Sequence, residues 1–212
     1  MIKIITFDYG NEDLTSNTYI LIDSKKDALV IDPGKEYLGI VDYLKKNDLN
    51  LKGVLLTHVH YDHIRGIPNI ISNFNAPIYC HFEDSNKFES SYLNCSKFMN
   101  CNFEIKLNPI TLTDGEVLSN LLEEDIKVIH TPFHTNGSVC YYIKESKILI
   151  SGDTLFRFTV GRSDLPTSTP KETFTSLRKL ADLPNDVNVY PGHGDKTTIG
   201  FEKQHNKHFK YN

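Results

Sequence analysis

The stretch Val54-Leu55-Leu56-Thr57-His58-Val59-His60-Tyr61-Asp62-His63 guides the interpretation of the whole sequence. Its apolar start is typical of a buried β-strand, and the strand pattern stops where three histidines and an aspartate fall close together. His58 and His60 are two positions apart, so their side chains leave an extended backbone on the same side. Asp62 and His63 follow where a helical pattern of isoleucines begins. Imidazole nitrogen and carboxylate oxygen both bind zinc, so the pattern favours a metal site over a surface cluster of histidines.

Length and composition narrow the class of protein. A chain of 212 residues with 39% hydrophobic content can bury one good core, so we expect a single domain over residues 1–212. The net charge is −4 and no long cluster of lysine and arginine is present, which argues against nucleic acid or a membrane surface as partner. Neither a signal peptide nor a membrane span is evident, so we expect a cytoplasmic protein. The four cysteines form no Cys-x-x-Cys pair and are expected to be free thiols.

Short β-rich runs, separated by turn residues, predict most of the secondary structure. The predicted strands cover residues 2–7, 18–22, 28–31, 53–56, 76–80, 103–107, 116–118, 126–130, 139–143, 148–151 and 187–190. Apolar residues at helical spacing predict helices over 38–45, 64–73 and 171–180. Residues 81–102 are polar and weakly periodic, which predicts short helices and a loop that is either a lid over a site or a surface excursion.

Four stretches, taken in order, resemble one known family. They are Thr57-His58-Val59-His60-Tyr61-Asp62-His63, His130-Thr131-Pro132-Phe133-His134-Thr135-Asn136-Gly137-Ser138, Ser151-Gly152-Asp153-Thr154-Leu155-Phe156 and Tyr190-Pro191-Gly192-His193-Gly194. In order and spacing they resemble the metallo-β-lactamase superfamily, and the chain is most similar to its short, single-domain, glyoxalase II-like hydrolases. The resemblance implies an α/β fold, a four-layer αββα sandwich of two mixed β-sheets with outer helices. The predicted strands and helices fit that architecture.

The resemblance also implies a binuclear metal site. Seven side chains, all imidazole or carboxylate, are the implied ligands: His58, His60 and His134 for the first metal, Asp62, His63 and His193 for the second, and Asp153 as the bridge. Two divalent ions per chain are expected, with zinc first and iron or manganese as alternatives. Asp62 is the expected catalytic residue, because it could orient the attacking water as well as bind metal. Asp32, in Asp32-Pro33-Gly34, either stabilises a turn or, as the resemblance implies, contacts a metal ligand.

Such a site would catalyse a hydrolysis. A water shared by two metal ions has its pKa lowered from about 15.7 toward about 7, and the resulting bridging hydroxide can attack an ester, thioester, lactam or phosphoester. The stretch Gly161-Arg162-Ser163-Asp164 resembles glyoxalase II-like and persulfide dioxygenase-like members. We therefore expect a thioesterase whose small-molecule substrate is S-D-lactoylglutathione or a related acyl-thiol. Arg162 could bind a carboxylate of the substrate, such as that of glutathione, or pair with Asp164.

Two residues depart from the family pattern. Phe133 stands where glycine is usual, and we expect its ring to lie beside the metal pocket, to narrow it, and to be strained if the backbone there needs positive φ. Arg65 replaces a residue that is usually small. Both positions could tune the substrate. Full-length glyoxalase II enzymes carry an added C-terminal helical domain that contributes to glutathione binding, and this chain stops at 212, so its specificity for glutathione stays open. The sequence does not indicate an oligomeric state.

Several other functions fit parts of the pattern. A mononuclear iron persulfide dioxygenase would place His58, His134 and Asp153 on one iron. A nuclease of the same superfamily is disfavoured by the acidic charge balance. A lactonase is a less favoured alternative, and a β-lactamase is disfavoured because no secretion signal is evident.

Overall fold

The computed structural model describes residues 1–8, 15–36 and 38–209. The strands are β1 (Lys3–Phe7), β2 (Thr18–Ile22), β3 (Asp27–Ile31), β4 (Asn50–Leu55), β5 (Ile78–His81), β6 (Ile110–Leu112), β7 (Val117–Leu118), β8 (Ile126–His130), β9 (Val139–Ile143), β10 (Ile148–Gly152), β11 (Leu155–Phe156), β12 (Thr159–Val160), β13 (Asn188–Pro191) and β14 (Thr197–Thr198). The α-helices are α1 (Leu38–Lys46), α2 (Tyr61–Ile64), α3 (Ile67–Ile71), α4 (Thr173–Ala181) and α5 (Ile199–His205). Among the residues that the structure describes, short 3-10 helices cover Phe82–Asp84, Ser96–Met99 and Pro170–Glu172.

Most strands belong to two mixed sheets. The first has the order β1-β2-β3-β4-β5-β6, the second has the order β14-β13-β10-β9-β8-β7, and β11 pairs with β12 in a small hairpin. In the first sheet β3 and β4 are parallel, so their carboxyl ends lie at the same edge. In the second sheet β10 and β13 are parallel. Strand β8 runs in the same direction as β10, because both are antiparallel to β9.

Three apolar layers separate the elements. One lies between the two sheets and includes Leu29 and Leu55 of the first sheet with Val128 and Tyr141 of the second. Another packs the outer face of the first sheet against α1, α2 and α3. A third packs the outer face of the second sheet against α4 and α5. The predicted four-layer αββα sandwich is therefore confirmed.

Most predicted elements agree with the structure, and the strands over 18–22, 126–130 and 139–143 agree residue for residue. The predicted strand 103–107 is wrong. Phe103, Ile105 and Leu107 alternate as a strand would and pack partly buried against the outer core of the first sheet, but the next strand along the chain is β6. The alternation of apolar and polar residues over 103–107 therefore reflects burial of one side of the segment, without pairing to a strand.

The predicted helix over 64–73 is wrong in its bounds, since the structure has two short helices there. Helix α2 starts earlier and includes Asp62 and His63, and α3 begins after Gly66. A Cβ atom at Gly66 would lie 2.4 Å from the carbonyl oxygen of Lys35, so the close approach of the preceding loop requires glycine at this break. Among the residues that the structure describes, no helix is long and apolar enough to cross a membrane.

Candidate metal centre

The carboxyl ends of the strands bring the predicted ligand residues to one rim of the sandwich. The segment after β4 carries four of them, and the segments after β8, β10 and β13 each carry one. Three overlapping groups of side chains hold their ligand atoms within 4.8 Å of one another: His58, His60 and His134; His58, His63 and Asp153; and Asp62, His63 and His193. All seven predicted ligand residues belong to these groups, so the structure brings the complete set together.

Contacts of the ring nitrogens show which nitrogen of His63, His134 and His60 faces the centre. His63 Nδ1 lies 2.9 Å from Asp32 Oδ2, and His134 Nδ1 lies 2.8 Å from the carbonyl oxygen of Arg162. Nε2 of both rings is thereby left toward the other ligand residues. His60 is reversed, because its Nδ1 lies 2.9 Å from His134 Nε2. Two nitrogens on one tetrahedral zinc are about 3.3 Å apart, so this pair could share one ion.

Several polar atoms at the centre are buried without a hydrogen-bond partner among the described residues. They include His58 Nε2, His63 Nε2 and Asp153 Oδ1. The last two atoms lie 3.3 Å apart. Leaving a buried polar group unpaired costs roughly 1–3 kcal/mol, and a cation bound by these atoms would remove that cost. The residues present therefore fit a bound divalent metal ion.

The surroundings shift the pKa values of four histidines of the candidate centre, two in each direction. Burial, followed by neighbouring imidazoles, holds the pKa of His58 and of His60 well below the ordinary value. Burial alone would also lower the pKa of His63 and of His193. The carboxylates outweigh it, with Asp153 first, and raise the pKa of both rings. His58 and His60 are therefore neutral at pH 7, the form in which imidazole binds metal.

The two carboxylates respond in the opposite direction. Burial alone would raise the pKa of Asp62 and of Asp153, but the surrounding imidazoles outweigh it and the pKa of each carboxyl group is lowered. Both groups are thus ionised at neutral pH. Asp62 Oδ2 lies 3.1 Å from His193 Nε2, and Asp153 Oδ2 lies 3.5 Å from His134 Nε2. The centre therefore combines ionised carboxylates with imidazoles, of which His58 and His60 are neutral, and carboxylate oxygen with imidazole nitrogen is the donor set of zinc and iron sites.

Asp32 takes the second of its two predicted roles, since it reaches the metal loop. Its Oδ1 accepts a hydrogen bond from the backbone N–H of Thr57 at 2.8 Å, and its Oδ2 accepts one from the Thr57 hydroxyl at 2.6 Å. The same Oδ2 contacts His63 Nδ1. Asp32 is buried and has positive φ. A carboxylate on the outer nitrogen of a ligand histidine fixes the orientation and tautomer of the ring.

Asp84 and Lys87 are supporting residues that the sequence did not reveal. Asp84 is fully buried, and its Oδ2 accepts a hydrogen bond of 3.1 Å from the N–H of Val59, which lies between His58 and His60. Its Oδ1 lies 2.5 Å from Lys87 Nζ, which also contacts Asn136. The pair therefore links the loop after β4 to the loop that contains His134.

In the sequence, Gly137 is the residue that could have indicated this contact with Asp84. A Cβ atom there would lie 2.2 Å from Asp84 Oδ1, so the loop can approach the carboxylate only with glycine. Arg65 is another residue with a positioning contact, since it donates to the carbonyl oxygen of Gly34 and to the hydroxyl of Thr15, each at 2.6 Å. Its contacts are with the loops beside the rim.

A cavity of about 370 Å³ opens over the ligand residues. Its remaining lining comes from Cys95, Phe98 and Met99 of the segment 81–102 and from Arg162 and Leu165. Part of the segment 81–102 therefore lies against the cavity, as its predicted role as a lid requires, and we call this segment the lid. Burial, and then the charge of Asp62, raises the pKa of the Cys95 thiol to about 11, so this thiol is protonated at neutral pH. A larger cavity of about 610 Å³ lies against β8, β9 and α4, but no predicted ligand residue lines it.

The expected position of Phe133 beside the metal pocket is wrong. The side chain is fully buried and packs with Leu177 and Leu180 of α4 in the outer core of the second sheet. Its φ is not positive, so the strain considered from the sequence is absent there. The carbonyl oxygen of Phe133 accepts a hydrogen bond of 2.9 Å from the N–H of Thr169, which ties this loop to the segment preceding α4.

Arg162 lies at the edge of the cavity and pairs with Asp164. The two hydrogen bonds from its guanidinium measure 2.6 and 2.8 Å, and its side chain is 64% exposed. The internal ion pair is thus the partner seen in the structure. Binding of a substrate carboxylate by Arg162 stays a prediction. All four cysteines are free, as the sequence predicted.

Comparisons with known proteins agree with this geometry. Residues 12–193 match the family described as the metallo-beta-lactamase superfamily. The chain is 34% identical over 195 residues to the probable metallo-hydrolase YqgX of Bacillus subtilis (strain 168), covering 91% of this chain and 92% of the relative. It is also 34% identical over 193 residues to the hydroxyacylglutathione hydrolase GloC of Haemophilus influenzae (strain ATCC 51907 / DSM 11121 / KW20 / Rd), covering 90% and 91% of the two chains.

Solved structures give the same result. The crystal structure of the BLEG-1 B3 metallo-beta-lactamase superposes with a TM-score of 0.91 at 30% identity, covering 99% of this chain and all of the other. The crystal structure of TTHA1623 in a di-iron-bound form superposes with a TM-score of 0.84 at 32% identity, covering 97% and 98% of the two chains. Because the family match covers residues 12–193, a relative is 34% identical over 91% of the chain and the fold is shared, the chain belongs to the metallo-beta-lactamase superfamily.

Proposed function

We propose that the protein is a metal-dependent thioester hydrolase of glyoxalase II type, acting on S-D-lactoylglutathione or a related acyl-thiol. The observation that carries the proposal is the convergence of seven candidate ligand residues, some with buried, unpartnered atoms, of which five line a cavity that reaches solvent. The similarity to a protein named hydroxyacylglutathione hydrolase supports the thioester as substrate. Hydrolysis needs both features, because the ligand atoms bind the catalytic ions and the cavity admits the carbonyl.

Two metal ions are part of the proposal. His58, His60 and His134 would hold one ion, Asp62, His63 and His193 would hold the other, and Asp153 would bridge them. Zinc is the first choice for this donor set, and the di-iron-bound relative supports iron as the main alternative. When bound, a pair of divalent ions lowers the pKa of water toward about 7 and polarises the carbonyl.

The residues of the chain supply orientation. Asp62 is ionised at neutral pH and lines the cavity, so in this proposal it accepts a hydrogen bond from the attacking water and aims its oxygen at the carbonyl carbon. Asp32 and the carbonyl of Arg162 hold the rings of His63 and His134 through their outer nitrogens. The lid forms one side of the cavity through Cys95, Phe98 and Met99.

Metal content and activity, measured on the same preparation, test the proposal. The protein is purified without added metal, its zinc, iron and manganese are quantified, and hydrolysis of S-D-lactoylglutathione is followed. About two zinc ions per chain with thioester turnover is the expected result. About one iron per chain, with oxygen uptake on glutathione persulfide and no thioester turnover, would overturn the proposal in favour of a persulfide dioxygenase.

A second assay addresses the similarity to a β-lactamase. The same preparation is given a chromogenic cephalosporin at matched concentration. We expect kcat/KM for the lactam to be at least about a hundredfold below that for the thioester. A higher value for the lactam would contradict the thioesterase proposal.

A further inference from the structure

We propose that the cavity selects thioesters with an uncharged, apolar acyl group and that Phe98 and Met99 of the lid bind it. This inference rests on the proposed thioesterase function and specifies its substrate class. Together with Cys95 and Leu165, these residues form what we call the apolar wall of the cavity. The ligand residues form the floor, where the carbonyl must lie.

The side chain of Phe98 is exposed to solvent and could therefore contact a bound substrate. Its side chain is 57% exposed although it lines a cavity over the candidate metal centre. Met99 follows it on the same 3-10 helix, and its flexible thioether side chain adapts to groups of different shape. An acyl chain on this wall would remove apolar surface of both partners from water, which corresponds to a gain of at most about fourfold in affinity per methylene.

Backbone contacts hold the apolar wall at a set distance from the metal ligands. The carbonyl oxygen of Asn94 accepts a hydrogen bond of 2.7 Å from the N–H of Tyr61, the residue before Asp62. The side chain of Asn94 donates to the carbonyl oxygen of Phe103 at 2.8 Å and accepts from the N–H of Ser96 at 3.0 Å. The start of the lid helix is therefore bound directly to the helix that carries two candidate ligands.

The backbone on both sides of the lid helix adopts a conformation that ordinary residues avoid. Cys95 has φ of 64° and Asn100 has φ of 53°, both in the left-handed region. Asparagine tolerates this region, but for cysteine it is unfavourable. The fold accepts this cost at the position from which Phe98 and Met99 face the cavity.

The charges around the cavity argue against a charged acyl group. Among the described residues that line it, Arg162 is the one permanent cation, and Asp164 already neutralises it through two hydrogen bonds. A carboxylate on the acyl chain would meet the wall without a free cation. A hydroxyl group, as in a lactoyl group, would lose hydrogen bonds to water when it packs against the wall. A plain alkyl chain suffers neither loss.

A series of thioesters of one uncharged thiol, N-acetylcysteamine, tests this inference. The metal-loaded protein is given acetyl, D-lactoyl, butanoyl and hexanoyl thioesters. We expect kcat/KM to rise at least about tenfold from acetyl to hexanoyl and to be higher for butanoyl than for D-lactoyl. In Phe98→Ser the rise should shrink to less than about threefold, and in Phe98→Leu, which keeps an apolar side chain, most of it should return.

The matched control is Phe174→Ser. Phe174 on α4 is 54% exposed, like Phe98, but does not line the cavity, so the chain-length dependence should stay that of the unaltered protein. Preference for acetyl or D-lactoyl over hexanoyl would overturn the inference and leave the thioesterase proposal standing. The same holds for a chain-length dependence that survives in Phe98→Ser. Hydrolysis of none of these thioesters, nor of S-D-lactoylglutathione, would overturn both.

Discussion

Asp153 is the residue whose two oxygens face both halves of the ligand set. Its Oδ1 lies 3.3 Å from His63 Nε2, and its Oδ2 lies 3.5 Å from His134 Nε2 and 3.6 Å from His193 Nε2. In Asp153→Asn the negative charge is lost, and an amide NH₂ group replaces one of the two carboxylate oxygens. We expect metal content to fall from about two ions to one or fewer, and kcat/KM for the thioester to fall at least about a hundredfold.

The matched control for this substitution is Asp186→Asn. Asp186 is an exposed carboxylate, 58% accessible, that pairs with Lys147 far from the rim. Its variant should keep the metal content and the activity of the unaltered protein. Elemental analysis and the thioester assay check both variants. Two ions per chain with full activity in Asp153→Asn would contradict the bridging role.

His81 gives a prediction about pH. Burial, then the neighbouring His130 with which it stacks at 3.8 Å, lowers its pKa to about 4, with Lys87 and Lys179 acting in the same direction and Asp114 against it. In the unfolded chain its pKa is about 6.5. The unfolded state therefore binds the proton more readily, and the stability that the neutral ring contributes is lost as the pH falls from about 6.5 toward 4.

Replacing His81 with asparagine should remove that part of the pH dependence. Between pH 7.5 and 4.5, the free energy of unfolding of metal-free His81→Asn should fall by about 1–2 kcal/mol less than that of the metal-free unaltered protein. His205→Asn, at an exposed position of α5, is the control and should keep the full slope. Denaturant unfolding at several pH values checks this. Equal slopes for all three proteins would show that His81 does not titrate as stated.

At the residue scale, chemistry and position explain what the sequence could predict. The seven ligand candidates are imidazoles and carboxylates directly after strand patterns, so type and place both identify them. Asp84 has no such pattern, since its role comes from contacts with Val59 and Thr135, 25 and 51 positions away. The prediction that the ring of Phe133 lies beside the metal pocket was wrong for another reason. The sequence places it next to His134 but does not say that its ring turns toward α4 and away from the cavity.

The pair Asp84–Lys87 acts at the scale of elements, because it joins the segment that begins the lid to two ligand loops. Both side chains are buried, with 0% and 6% exposure. In Lys87→Met the charge of Asp84 would stay buried without its partner, which typically costs about 3–5 kcal/mol. We expect a lower midpoint of thermal unfolding and at least about tenfold weaker zinc binding, because Val59 and Asn136 lose their shared anchor.

An exposed ion pair of equal length is the control for this element. Lys147 lies 2.5 Å from Asp186, and the two side chains are 55% and 58% exposed. Lys147→Met should change the free energy of unfolding by less than about 1 kcal/mol and leave zinc binding unchanged. Thermal unfolding and zinc titration against a chelating indicator check both variants. A Lys87→Met protein that binds zinc as tightly as the Lys147→Met protein would rule out this link between lid and ligands.

Elements were predictable from the sequence where burial alone determines them. Strands β8 and β9 read as apolar runs bounded by turns, and their ends agree residue for residue with the prediction. The segment 103–107 and the helices around Gly66 depend on a neighbour. Phe103 and Ile105 pack on a core without pairing to a strand, and Gly66 stands against Lys35. The local sequence pattern of a segment does not show which loop packs against that segment in the fold.

At the scale of the whole molecule, the candidate metal centre lies where the two sheets meet. The first sheet supplies His58, His60, Asp62 and His63 after β4, and the second supplies His134, Asp153 and His193 after β8, β10 and β13. A direct backbone hydrogen bond from Val139 N–H to the carbonyl oxygen of Thr57, 2.9 Å long, joins the sheets nearby. Metal ions bound by both sets would form a second link between the sheets.

Removing metal should therefore loosen the rim more than the core. A ligand present at a hundred times its dissociation constant stabilises the folded state by about 2.7 kcal/mol, so chelation should lower the unfolding midpoint by several degrees and zinc should restore it. Hydrogen exchange should quicken in the loops after β4 and β10 and stay slow in β2 and β9, whose residues are all buried. Asp153→Asn serves as the comparison and should respond weakly to zinc in both measurements. If chelation left the midpoint and the exchange of both loops unchanged while metal was shown to be gone, the ions would not be linking the two sheets.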